Sequence, residues 1–323
     1  MYEKFYGFKE KPFNITPDSR FFYPSPKHSE ALDRLYYAIT ERRGFVVITG
    51  EIGAGKTTVC RALLNKLDDK TNVAMITNTN LNAKELIIAI LEDLQIPYTP
   101  GTKVKLLCQL NDYLLTKLNE DINIVLIIDE AQNLKPMVLE EIRMLSNLET
   151  ETEKLIQIIL LGQPELRQRL RLKSLEQFKQ RIAIHYHLDF LNSEETANYI
   201  QHRISVAAQN GPKNIFTNEA LKSIYTYSRG VPRLINLICD HALLSGFVEE
   251  KNIIGVDIID EVIKEIHMFD DSRPTNIVNG LHCCPQCQQY NTCKIKWFRG
   301  EREEEQLCCS QCHLYISCQK KQL

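Results

Sequence analysis

Apolar residues fall into two rhythms along this chain. Short, nearly continuous apolar runs at Phe45–Thr49, Asn72–Thr77, Ile122–Asp129 and Ile156–Leu161 predict buried strands. Between them lie stretches with apolar residues at helical spacing. His28–Arg43 carries Ala31, Leu32, Leu35, Ala38 and Ile39 on one stripe, with Gly44 as its stop. Thr58–Leu67, Lys84–Leu94, Lys103–Leu118 and Met137–Leu148 read the same way. Strands alternating with helices imply a parallel sheet covered on both faces. After the strand-like Ala183–Leu188 the rhythm becomes purely helical, over Ser193–Gln209, Asn218–Ser228, Pro232–Val248 and Val256–Phe269. Ser193-Glu194-Glu195-Thr196 reads as the cap of the first of these. The stretch Met1–Pro26 is rich in aromatics and broken by Pro12, Pro17, Pro24 and Pro26, which predicts an irregular arm. The expected organisation is an arm and first helix (1–43), an α/β domain (44–191), a helical lid (192–269), a polar linker (270–280) and a cysteine-rich module (281–323).

Composition changes this picture little. A chain of 323 residues exceeds what one hydrophobic core usually serves, in line with the division above. A formal net charge of -2 gives no global case for a nucleic-acid or anionic-membrane partner, although a local basic patch is compatible with it. No run approaches the roughly 18 consecutive apolar residues of a membrane span. Met1-Tyr2-Glu3-Lys4-Phe5 lacks a basic stretch followed by an apolar one, so the expected location is the cytoplasm.

Chemistry concentrates after the first strand, in Gly50-Glu51-Ile52-Gly53-Ala54-Gly55-Lys56-Thr57, followed by Thr58. Glycines here let the backbone curl so that its N–H groups point at phosphate oxygens, and the following helix N-terminus adds partial positive charge. In such a loop Lys56 reaches the β- and γ-phosphates and Thr57 ligates Mg²⁺. The third strand ends in Ile127-Ile128-Asp129-Glu130, placing two carboxylates at its C-terminal end. Asp129 is expected to hold Mg²⁺ through water, and Glu130 to orient and deprotonate the attacking water. Gln163, just past the fourth strand, is expected to sense the γ-phosphate or the water. Arg233, next to the helix-starting Pro232, is the expected lid contact to the nucleotide. Arg181, at the seam of the two domains, is the expected finger toward a neighbouring subunit, with Arg167, Arg169 and Arg171 as competitors. Phe21, Phe22 or Tyr23 could stack on adenine.

These words in this order resemble the AAA+ ATPases of the ExeA/GspA type, named for general secretion pathway protein A. The resemblance rests on Asn14-Ile15-Thr16-Pro17-Asp18, Phe21-Phe22-Tyr23, Glu41-Arg42-Arg43-Gly44-Phe45, Ile142-Arg143-Met144-Leu145-Ser146-Asn147-Leu148-Glu149-Thr150, Leu161-Gly162-Gln163-Pro164-Glu165-Leu166 and Gly230-Val231-Pro232-Arg233. It implies ATP hydrolysis in a homo-oligomer, with Walker A at Gly50 to Thr57, Walker B at Asp129 and Glu130, and sensors at Gln163 and Arg233. The core is similar also to ATPases that bind DNA and select targets for transposases. Secretion members usually continue into a membrane span, whereas this chain continues into a tail with Cys284, Cys287, Cys309 and Cys312 in two C-x-x-C knuckles. That spacing predicts a structural zinc ribbon, with Cys283, Cys293, Cys308, Cys318, His282 and His313 as further possible ligands. The expected partners are DNA or a transposase-like protein, with a secretion or pilus-assembly system, or an ATP-gated switch on another protein, as alternatives.

Overall fold

The computed structural model describes residues 1–268, apart from 15, 17, 173, 174, 210 and 212. In chain order, α1 (Tyr2–Tyr6), a 3-10 turn (Ser19–Phe21) and α2 (Pro26–Thr40) precede β1 (Phe45–Gly50), α3 (Lys56–Leu64), β2 (Thr71–Ile76) and α4 (Ala83–Asp93). Then come α5 (Lys103–Asn119), β3 (Asn123–Ile128), α6 (Pro136–Leu145), β4 (Gln157–Gly162), α7 (Pro164–Leu170), α8 (Glu176–Lys179) and β5 (Ile182–Leu188). Four helices follow: α9 (Ser193–Ala207), α10 (Asn218–Ser228), α11 (Pro232–Val248) and α12 (Val256–Met268).

The strands pair in parallel in the order β2-β3-β4-β1-β5. Alternate residues of the central strands point to opposite faces, and both faces are covered, which is why these strands read as continuous apolar runs. Phe45, Val47, Leu126, Ile128, Ile158 and Leu160 pack with Leu86, Leu106 and Leu139 of α4, α5 and α6. Val46, Ile48, Val125, Ile127, Ile159 and Leu161 pack on the other side with Ala31, Leu35, Val59 and Leu63 of α2 and α3. Because β4 lies between β1 and β3, the residue after β4 falls between the two motifs at their C-terminal ends.

Two boundaries differ from the apolar pattern. The helix after β1 begins at Lys56, not Thr58, because Gly55 (φ 98°) turns the loop directly into the first helical turn. The cap of α9 is Asn192, not Ser193. Asn192 Oδ1 accepts from the Glu195 amide at 2.8 Å while Glu195 Oε2 accepts from the Asn192 amide at 2.8 Å. Ser193 has Thr196 at the corresponding position and lacks the returning carboxylate.

The arm packs on the helical part. Tyr2 donates its hydroxyl to Asp240, Tyr6 donates to the Lys251 carbonyl at 2.9 Å, and the Lys9 amide donates to the Ala207 carbonyl at 2.8 Å. Arg203 of α9 is buried and donates from Nε to the Pro12 carbonyl (2.6 Å), from Nη2 to the Asn14 carbonyl (3.3 Å) and from Nη1 to the Tyr199 hydroxyl (3.0 Å). Residues 1–14 are thereby held by the helices, whereas α2 is held by the sheet. Among the described residues no helix is long and apolar enough to cross a membrane.

The passage from sheet to helices is pinned at Leu191, whose amide donates to the Gly230 carbonyl at 3.0 Å. Gly230 has φ 76°, and a Cβ on it would stand 1.7 Å from the Leu191 carbonyl oxygen. Gly230→Ala therefore meets both a left-handed backbone and a backbone collision. It is expected to cost roughly 3 kcal/mol and lower the melting temperature by about 10 °C. A thermal denaturation curve within a degree of wild type would contradict this account of the joint.

Candidate active site

β1 delivers Gly50 to the mouth of a loop in which Gly53 (φ 78°) and Gly55 (φ 98°) take left-handed conformations. The Ala54 amide donates to the Glu51 carbonyl at 3.2 Å and closes the curl. The amides of Gly55, Lys56 and Thr57 find no partner among the described residues, which leaves a concave set of donors at a helix start. Lys56 is buried, and its Nζ donates to the carbonyls of Gly50 (2.6 Å) and Glu51 (3.0 Å). Burial lowers its pKa, against the opposing pull of Glu130 and Asp129. Glu51 thus contributes its backbone, while Ile52, exposed at the loop tip, and Thr58 line the cleft with their side chains.

β3 brings the carboxylates to the same place. Asp129 is fixed at both oxygens: Oδ1 accepts from the Glu130 amide at 2.9 Å and Oδ2 from the Thr57 hydroxyl at 2.8 Å. Two residues 72 positions apart in the chain thus meet as a hydroxyl and a carboxylate, the oxygen donors that suit Mg²⁺. Glu130 follows in a left-handed conformation, φ 51° and ψ 38°, costly for a non-glycine residue and typical of a functional position. Its Oε2 accepts from Gln132 Nε2 at 2.5 Å and from Gln163 Nε2 at 3.2 Å. The Gln163 amide donates in turn to Gln132 Oε1 at 3.0 Å.

Gln132 did not stand out in the sequence, since it belongs to neither motif. Its only sequence signal is position, two residues past the carboxylate pair. Arg169 donates to the carbonyls of Gln132 and Leu134 of its own chain. Arg167 and Arg171 are exposed near His185, where their charge adds to burial in lowering the imidazole pKa. Arg181 sits before β5, at the far end of the sheet from the loop: Phe45, the first residue of β1, pairs with Ile182, and Gly50 pairs with Leu188. The structure does not bring Arg181 to its own chain's loop.

The cleft holds about 350 Å³ between sheet and lid. The lid contributes Tyr199, Pro232 and Arg233, the joint contributes Leu191, and the arm contributes Phe21, Phe22 and Tyr23. Arg233 lies against the loop, so close that a Cβ on Gly53 would stand 2.8 Å from the Cβ of Arg233. Phe21 is buried, with the Arg203 guanidinium 4.8 Å from its ring centroid. Phe22 and Tyr23 remain half-buried, Tyr23 set edge-on to Tyr199 at 6.1 Å. His28 also lines this cleft.

Residues 39–170 match the family model described as an AAA domain. The fold is the AAA P-loop fold. General secretion pathway protein A of Aeromonas hydrophila is 46% identical over 248 residues, covering 76% of this chain and 45% of that protein. The chain therefore spans less than half the length of that relative. Among solved structures, the Aeropyrum pernix ORC2 protein, in ADPNP-ADP complexes, aligns with a TM-score of 0.60 at 17% identity, over 82% of this chain and 75% of that one. The Thermotoga maritima RuvB Holliday junction branch migration motor aligns with a TM-score of 0.52 at 18% identity, over 76% and 72%. At such identities the likeness concerns the fold of the AAA domain and lid. Cys284, Cys287, Cys309 and Cys312 lie outside the described residues, and among the described residues no group of three metal-ligating side chains occurs.

Proposed function

We propose that this AAA chain binds MgATP between sheet and lid and hydrolyses it. The observation that carries the reading is the Thr57–Asp129 contact with Glu130 beside it, held by Gln163, in the cleft that also takes Lys56. Thr57 and Asp129 are the residues that would hold Mg²⁺, which when bound neutralises charge on the transferred phosphoryl group. Lys56 would exchange the Gly50 and Glu51 carbonyls for phosphate oxygens, and the amides of Gly55, Lys56 and Thr57 would complete the cradle. Glu130 has both amide donors on Oε2, leaving Oε1 to accept the proton of the attacking water. Arg233 would meet the nucleotide from the lid.

Arg181, remote from its own loop, fits a role toward a neighbouring copy, so ATP-dependent self-assembly belongs to the proposal. The 46% relative supports a role of the general secretion pathway protein A type. A second reading, association with DNA or a transposase-like partner, is supported by the fold-level likeness to the Aeropyrum pernix ORC1 protein, whose structure is in complex with DNA. One experiment addresses assembly and partner together. Light scattering with a slowly hydrolysed ATP analogue is expected to show an oligomer that is lost without nucleotide, and a monomer in both conditions would overturn the assembly proposal. Adding duplex DNA to the same sample separates the partners. Retention that falls at least about 100-fold between 50 and 200 mM salt favours DNA, and absence of retention favours the secretion reading. The zinc-ribbon proposal for Cys284, Cys287, Cys309 and Cys312 rests on spacing, and the zinc content of the purified chain tests it.

A further inference from the structure

His28 stands in the first turn of α2, against the phosphate loop at the edge of the cleft. Ser25 caps this helix, its Oγ accepting from the His28 amide at 3.3 Å, and Pro26 takes the first helical position. His28 shares the buried stripe of Ala31 and Leu35 and is itself 6% exposed. A polar ring so buried needs partners at both nitrogens. Nδ1 lies 2.7 Å from Ser25 Oγ, and Nε2 lies 2.9 Å from the carbonyl oxygen of Ala54 in the loop. A carbonyl oxygen only accepts, so Nε2 carries the hydrogen, and in the neutral ring Nδ1 accepts from the Ser25 hydroxyl. Burial favours that neutral ring by lowering the pKa, against the Ala54 carbonyl and Glu195, which pull it upward.

The Ala54–Gly55 peptide is trans and planar, so the Gly55 N–H points opposite to the carbonyl that His28 holds. It therefore points away from the imidazole and finds no partner among the described residues, as a donor kept for a ligand does. Gly55 has φ 98°, and a Cβ there would stand 2.9 Å from His28 Nε2, so imidazole and glycine are fitted to each other.

We infer that His28 is a positioning residue for the nucleotide: its hydrogen bond to the Ala54 carbonyl fixes a loop peptide whose reversal would replace the Gly55 N–H by an oxygen facing the phosphates. The inference rests on the ATP reading above. An unanchored peptide would have to be reoriented at each binding event, which weakens binding without touching Glu130 or its water.

The test uses the full chain with His28→Ala, His28→Gln and His28→Asn. Calorimetric titration with MgATP and MgADP is paired with steady-state hydrolysis and with melting in the absence of nucleotide. A glutamine side-chain amide reaches the place of Nε2–H, whereas an asparagine amide reaches only that of Nδ1 and keeps the Ser25 contact. His28→Ala and His28→Asn are expected to raise Kd and KM about tenfold, the scale of one anchored hydrogen bond, with kcat at saturation within about twofold. His28→Gln is expected to return Kd to within about threefold of wild type. Equal affinity of wild type and His28→Asn overturns the inference. So does a glutamine variant that melts like wild type yet binds as weakly as the asparagine one. Absence of nucleotide binding by the wild type would overturn the ATP reading, and this inference with it.

Discussion

Glutamine in place of Glu130 is expected to slow ATP turnover by about 10²- to 10⁴-fold, with MgATP affinity within roughly threefold of wild type. The substitution keeps the side chain's size and leaves an oxygen to accept from Gln132 and Gln163, so the constellation at the end of β3 and β4 stays in place. What is lost is the basic oxygen. An amide cannot take a proton from water near neutral pH, so the effect falls on kcat and spares binding. Single-turnover hydrolysis alongside nucleotide titration measures the two separately. A Glu130→Gln protein that turns over at the wild-type rate would remove Glu130 from the chemistry.

Lys56→Ala is expected to act on binding instead, weakening MgATP by about 100-fold or more. Two charge-assisted hydrogen bonds to phosphate, at roughly 1.5 kcal/mol or more each, account for that scale. The free protein is expected to lose some stability as well, because the Gly50 carbonyl that Lys56 now satisfies is buried and would be left without its donor. Titration with MgADP is the direct measurement. Retention of wild-type affinity would contradict the assignment of the loop.

The motifs of these two experiments were legible in the sequence because each begins where a strand ends, and a strand end has a fixed relation to the sheet. Gly50 ends β1, Asp129 and Gln163 follow β3 and β4, and an apolar run terminating in polar residues marks that place without knowledge of the partner strands. The contacts of His28 and Gln132 were not legible, since the fold makes them. His28 meets Ala54 across 26 positions, from the inner face of a helix whose apolar stripe absorbs it. A cue was present: His28 precedes Ala31 and Leu35 by three and seven residues, which puts an imidazole among side chains facing inward. The attachment of the arm gave less warning. Tyr2 and Asp240 are 238 positions apart, and an aromatic-rich stretch reads alike whichever surface it covers. Ser193 illustrates a smaller limit, for it and Asn192 both suit a cap, and only the carboxylate three residues on decides between them.

The docking of the arm has a mechanical consequence. Residues 1–14 are fastened to the helices by Arg203 and Tyr2, while α2 is fastened to the sheet, so the chain joins helices and sheet both between Asn14 and Ser25 and near Leu191. Two connections at separate points define a line, as the pins of a door do, and turning about that line is the displacement that two such connections resist least. A single tether would permit swivel and twist in any direction. Any turning of the helices about that line would carry Arg233 toward or away from Gly53, against which it now lies.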